Sequence, residues 1–194
     1  MKALRVALTG GIGAGKSLAL SAFARLGCET ASSDDIARRQ ARPGGPAHRR
    51  LLALFGTADR AAIAARVFRD AAARRRLERA THGLVLAELA RRARRARGVF
   101  VADVPLLFEA RREKDFDVTV AIAAPPVLRL SRVAKRGGIS AADAKRRMAA
   151  QLTDAARAAR ADVVIENAGS PKDFVRKIAS YHRALRLLQR GAVA

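Results

Sequence analysis

Short apolar runs alternate with amphipathic stretches along this chain, the pattern of strands joined by helices. Leu4–Leu8 is a short apolar run stopped by Gly10 and reads as a buried strand. Leu18, Leu20, Ala22, Phe23 and Leu26 then recur on one face, predicting a helix over Lys16–Leu26 that Gly27 ends. Cys28–Ala31 is a weaker second strand running into the polar cluster Ser32-Ser33-Asp34-Asp35. From Ile36 to about Arg97 the pattern is helical, broken at Pro43-Gly44-Gly45-Pro46 and again near Phe55-Gly56-Thr57. Val99–Ala102 and Val118–Ala123 are the third and fourth strands, closed by Asp103 with Pro105 and by Pro125-Pro126. Helices are predicted over Val127–Arg136 and Ser140–Arg160, a fifth strand over Asp162–Ile165, and a last helix opening at Ser170-Pro171. Ser140 with Asp143 has the spacing of a helix cap.

Strands separated by helices predict an α/β fold, a parallel sheet covered on both faces. The stretch between the second and third strands exceeds one crossover helix, so residues 39–98 are expected to form a helical lobe. Residues 127–160 are likewise too long for one crossover and could form a lid. The remaining core is 1–38, 99–126 and 161–194, all within a single domain.

Composition adds limits. The chain has 194 residues, half of them hydrophobic and 29% charged, as expected of a globular protein. No apolar run reaches the roughly 18 residues of a membrane helix. Cys28 is the only cysteine, and no secretory signal is visible, so a cytoplasmic protein without membrane attachment is expected. The net charge of +22 would suit a polyanionic partner. Yet only seven of the 39 basic residues are lysines, and Phe plus Tyr number eight, so base stacking is poorly supplied. Arg and Ala enrichment is the plainer explanation, and a nucleic-acid partner is not expected.

Gly10-Gly11-Ile12-Gly13-Ala14-Gly15-Lys16-Ser17 fits G-x-x-x-x-G-K-[ST] between a strand and a helix, the place that motif requires. Glycines let the backbone wrap a phosphate with N–H groups inward, and the helix N-terminus adds further donors. Lys16 is expected at the β/γ-phosphates and the Ser17 hydroxyl on Mg²⁺. A P-loop NTPase three-layer fold follows, although that cradle serves GTPases, ATPases and kinases alike.

Asp34 follows the second strand, where a carboxylate could take the proton of an acceptor hydroxyl. A carboxylate there also caps helices, and position alone leaves both roles open. Asp103 ends a hydrophobic strand, as a Mg²⁺-holding carboxylate does, with a strand-end turn as the other reading. Among the arginines of the expected lid, Arg132, Arg136 and Arg147, Arg136 ranks first because Gly137-Gly138 beside it offers a hinge.

Together these segments resemble the dephospho-coenzyme A kinase family over most of the chain. The likeness rests on Leu8–Ser17, Asp34-Asp35-Ile36-Ala37-Arg38, Phe55-Gly56, Arg66-Val67-Phe68, Leu77-Glu78, His82 and Arg136-Gly137-Gly138, with Gln151. Asp103-Val104-Pro105-Leu106-Leu107-Phe108-Glu109 and Ala161–Gly169 are its more specific parts. The resemblance implies five parallel strands, a helical substrate lobe and a lid. It also implies ATP-dependent phosphorylation of the ribose 3′-hydroxyl of dephospho-CoA, with Mg²⁺.

Site roles follow from the likeness. Asp34 would be the catalytic base, with Lys16 and Arg136. The loop Gly11, Ile12, Gly13, Ala14, Gly15, Lys16, Ser17 and Leu18 would hold ATP, with Asn167 and Gly169 beside the adenine. Arg38, His82, Pro105, Leu106, Leu107, Phe108 and Glu109 would join Asp34 at the acceptor, and Ser17 with Asp103 would hold the metal. The chain departs from the family pattern at Ser32, where Asp is usual, at Leu18 for Thr, at Gly83 for Pro, and in a shortened stretch after Gly56. Two alternatives stay open: a kinase of another small hydroxyl acceptor, nucleoside-like or shikimate, and a nucleic-acid-binding ATPase. A monomer or weak oligomer is expected.

Overall fold

A computed structural model describes residues 2–137 and 140–191. Gly138, half of the expected hinge, lies outside the described residues. The chain forms two compact units, Met1–Thr30 with Arg95–Ala194, and Ala31–Arg94. The elements run β1 (Leu4–Thr9), α1 (Lys16–Arg25), β2 (Glu29–Ser32), α2 (Ser33–Gln40), α3 (His48–Phe55), α4 (Arg60–Arg69) and α5 (Ala71–Arg95). They continue with β3 (Val99–Asp103), β4 (Val118–Ala123), α6 (Pro126–Arg136), α7 (Ala141–Ala149), α8 (Asp154–Ala158), β5 (Val163–Glu166) and α9 (Pro171–Gly191).

The five strands form one sheet in the order β2-β3-β1-β4-β5. The pairs β1–β3, β1–β4 and β4–β5 are parallel, with Leu8 opposite Asp103 and Val120, and Ala123 opposite Glu166. Burial explains the order. All five residues of β3 and the middle four of β4 are buried, as are the last four of β1, so these strands are covered on both faces. β5 alternates between partly covered and exposed positions around one buried residue, Ile165, as an edge strand does.

Each face of the sheet has its own core. On one, Val6, Leu8, Val101, Val120 and Ile122 meet Phe23 of α1 and Phe174, Ile178 and Leu185 of α9. On the other, Ala7 packs with Leu107 and Phe108 from the loop after β3, and with Phe116 and Leu152. The strand alternation of Val6, Ala7 and Leu8 therefore feeds both layers.

The helical unit 31–94 has a separate cluster, Ala47, Leu51 and Ile63 with Phe55, Leu77 and Leu84. Gln40 Nε2 donates to the Leu84 carbonyl at 3.0 Å, tying α2 to α5. Asp70 interrupts the helical run by accepting the Ala72 and Ala73 N–H groups at 2.7 and 3.1 Å, which starts α5 afresh. Glu88 is gripped by Arg91 and Arg92, which pull its carboxyl down to about 2.

One expected helix divides. Ser140 caps α7 through the Asp143 N–H, as its spacing predicts. The run to Arg160, however, breaks at Gln151-Leu152-Thr153, and Thr153 caps α8 through the Ala156 N–H at 3.1 Å. The break frees Gln151 and Leu152 for contacts made elsewhere in the same unit.

Candidate active site

The turn from β1 to α1 is held by its own polar groups. Ala14 N–H donates to the Gly11 carbonyl at 3.1 Å, and the Lys16 ammonium donates to the carbonyls of Gly10 at 2.7 Å and Gly11 at 3.4 Å. Gly15 ends the turn at φ +109° as the residue before α1. A side chain there would be strained, and its Cβ would lie 2.1 Å from Asn167 Nδ2. Ser17 is exposed in the first turn of α1, while Leu18 packs partly against the core and offers the loop only its main chain.

Asn167, just past β5, braces this turn. Its buried side-chain amide donates to the Ala14 carbonyl at 2.8 Å, and its own N–H donates to the Ala123 carbonyl at 2.8 Å. Arg132 Nη2 donates to the Asn167 carbonyl at 3.0 Å and to its Oδ1 at 3.3 Å. Asn167, expected beside the adenine, is thus hydrogen-bonded to the glycine turn. Gly169 is exposed two residues later, before Ser170, whose hydroxyl caps α9 at the Asp173 N–H.

Both main-chain groups of Ile12 are taken from the segment expected as a lid. Its N–H donates to Gln151 Oε1 at 3.0 Å, and its carbonyl accepts from Arg129 Nε at 2.9 Å. Ile12, expected in the nucleotide loop, thus has both main-chain groups hydrogen-bonded to side chains of that segment. Arg129 Nη1 donates to Asp154 at 2.8 Å, Arg157 donates to the other Asp154 oxygen at 3.0 Å, and Arg157 Nη2 lies 3.5 Å from Glu109. Glu109 also accepts the Leu152 N–H at 3.1 Å. Arg157 is fully buried, and that burial pulls its guanidinium below the ordinary value against the opposing pull of Glu109 and Asp154.

The other expected site residues have these surroundings. Leu107 and Phe108, expected at the acceptor, are buried and pack with Ala7. Leu106 is exposed, and the Pro105 carbonyl accepts from the Thr9 hydroxyl at 3.2 Å. Glu109 turns into the arginine cluster instead. Arg136 ends α6 exposed, whereas Arg129 and Arg132 reach the glycine turn and its brace Asn167. Asp103 is buried at the end of β3, in register with Leu8.

In the helical unit, the Ser32 hydroxyl caps α2 by accepting the Asp35 N–H at 3.3 Å, and Asp35 pairs with Arg38 at 3.0 Å. The cap reading of Asp34 is thereby removed: its carboxylate is exposed at the second helical position. His82 is exposed on α5. Arg129, Asp154 and Arg157 are not singled out by any sequence motif. Their signal was present, since Arg129 shares its buried stripe on α6 with Val133, where an apolar residue is expected.

The family model for dephospho-CoA kinase matches residues 4–173. A dephospho-CoA kinase of Methylococcus capsulatus is 40% identical over 194 residues, spanning 95% of this chain and 98% of the relative. The chain belongs to the dephospho-CoA kinase family. As a member it is a phosphotransferase acting on dephospho-CoA, at the final step of coenzyme A biosynthesis. The solved structure of TT1252 from Thermus thermophilus superposes with a TM-score of 0.84 at 31% identity, covering 95% of this chain and 99% of that one. A shikimate kinase from Acinetobacter baumannii shares the fold at 22% identity and a TM-score of 0.59, over 95% of this chain and 96% of that one.

Proposed function

We propose that the chain transfers the γ-phosphoryl group of ATP to the ribose 3′-hydroxyl of dephospho-CoA. Asp34 takes the hydroxyl proton as the oxygen attacks phosphorus, the bond to ADP breaks, and Lys16 offsets charge gathering on the phosphate oxygens. The observation that carries this reading is the phosphate loop itself: a glycine turn braced by Asn167, with the Lys16 ammonium at its rim. The capped start of α2 supports the base assignment, because Ser32 relieves Asp34 of a structural duty. The unit 31–94 would serve as the substrate lobe and residues 127–160 as a lid.

The donors suit Mg²⁺: Ser17 has an exposed hydroxyl, and Asp103 a carboxylate at the strand end. These two residues would hold the ion beside the phosphates. When bound it would neutralise charge on the β- and γ-oxygens.

A coupled assay with ATP, Mg²⁺ and an acceptor panel of dephospho-CoA, adenosine and shikimate tests the reading. Turnover confined to dephospho-CoA, with the product phosphorylated at the 3′-oxygen, is expected; preference for either other acceptor would overturn it. Adding single-stranded RNA at low salt is expected to leave the rate unchanged, because the +22 charge is read as compositional.

A further inference from the structure

Two side chains from outside the phosphate loop hold one residue of it from opposite sides. Gln151 Oε1 accepts the Ile12 N–H, and Arg129 Nε donates to the Ile12 carbonyl. A Cβ on neighbouring Gly11 would sit 2.1 Å from Arg129 Nη2, so the guanidinium lies directly against the loop backbone. It is 5% exposed. The peptide groups on either side of the Ile12 Cα are thus each fixed by a side chain, which sets the orientation of the turn leading to Gly13, Ala14 and Gly15.

Arg129 is in turn held by Asp154, which shares its second oxygen with the fully buried Arg157, and Arg157 faces Glu109. Two guanidinium and two carboxylate groups leave the cluster formally neutral, the condition for keeping charges out of water. A fork geometry with donors fixed in a plane suits arginine and not lysine for bridging a carbonyl and a carboxylate at once.

We propose that Arg129 and Gln151 are positioning residues of the phosphate cradle: they touch no reacting atom, and fix the backbone whose N–H groups receive the nucleotide. This rests on the reading of the glycine loop as the ATP site. Displacing a binding loop by about an ångström can cost a factor of about a hundred. Loss of the clamp therefore acts on ATP, through kcat/KM, well beyond any loss of thermal stability.

The test compares Arg129→Ala, Arg129→Lys and Gln151→Leu with Asp117→Asn, which breaks the Arg5–Asp117 pair at the opposite end of the strands. Each is assayed at a temperature where it is fully folded, with kcat and KM measured for both substrates and the Kd of a fluorescent ATP analogue. Arg129→Ala is expected to lower kcat/KM for ATP about a hundredfold and weaken analogue binding, with Arg129→Lys recovering part of the loss and Gln151→Leu losing about tenfold. Asp117→Asn is expected to lower Tm alone. If Arg129→Ala does not fold, Gln151→Leu decides. Clamp variants that lose only Tm, as Asp117→Asn does, overturn the proposal. Wild-type enzyme that binds no ATP analogue overturns instead the reading of the loop, which separates the two failures.

Discussion

The two ends of the central strands use the same residue types for different ends. At the amino-terminal end, Arg5 closes a fork on Asp117: its main-chain N–H at 2.8 Å and its Nε at 3.0 Å both reach one carboxylate. That pair satisfies itself and joins β1 to the start of β4. At the carboxyl-terminal end, Arg129 divides its donors between a carboxylate and a main-chain carbonyl of the phosphate loop, Arg132 holds Asn167, and Asn167 holds Ala14. Polar side chains there hold the backbone of the glycine turn as well as one another. An arginine–carboxylate contact on its own is therefore a poor guide to function; what else the arginine holds is the better one.

Substitutions can sharpen that contrast, and the largest effect is expected at Lys16. Lys16→Ala removes the cation proposed to offset developing phosphate charge and is expected to lower kcat by about two to three decades, with Tm nearly unchanged. Gly15→Ala forces a side chain into φ +109° and against the Asn167 amide. It is expected to cost about 1–3 kcal/mol in denaturant unfolding and to abolish tight ATP binding together. Asn167→Ala leaves the buried Ala14 carbonyl without its donor, at a cost of about 1–3 kcal/mol, and should weaken ATP binding in the same variant.

The smallest effect belongs to the amino-terminal end. Asp117→Asn is expected to cost about 0–1 kcal/mol and no activity. Hydrogen bonds from Arg5 hold the Asp117 carboxyl below its usual range. Its stabilising share is therefore complete above the unfolded value of about 3.9 and disappears as the pH falls through the lower folded value. Measured as Tm against pH, the acid limb of Asp117→Asn should be flatter than that of the wild type. An equal kinetic loss at both ends would break the comparison.

The sheet was legible in the sequence because its central strands are nearly solid apolar runs, and the glycine turn because its spacing and place coincide. Ser140–Arg160 was misread as one helix, since the break serves contacts made by Gln151 and Leu152 with distant segments, and local periodicity carries no trace of these. Arg129 and Arg157 were hidden by abundance: in a chain with so many exposed arginines, a buried one differs only in falling on an apolar stripe. The packing of Leu107 and Phe108 on Ala7 is not legible in the sequence, where the distinctiveness of their segment points to a ligand instead. Asp34 gained clarity from its neighbour, once Ser32 was seen to cap the helix.

Asp34→Asn, measured by single-turnover phosphorylation of dephospho-CoA beside equilibrium ATP binding, tests the central claim most directly. The account predicts a rate lowered by roughly two to four decades with the ATP Kd unchanged. A variant that phosphorylates dephospho-CoA at near the wild-type rate would contradict it.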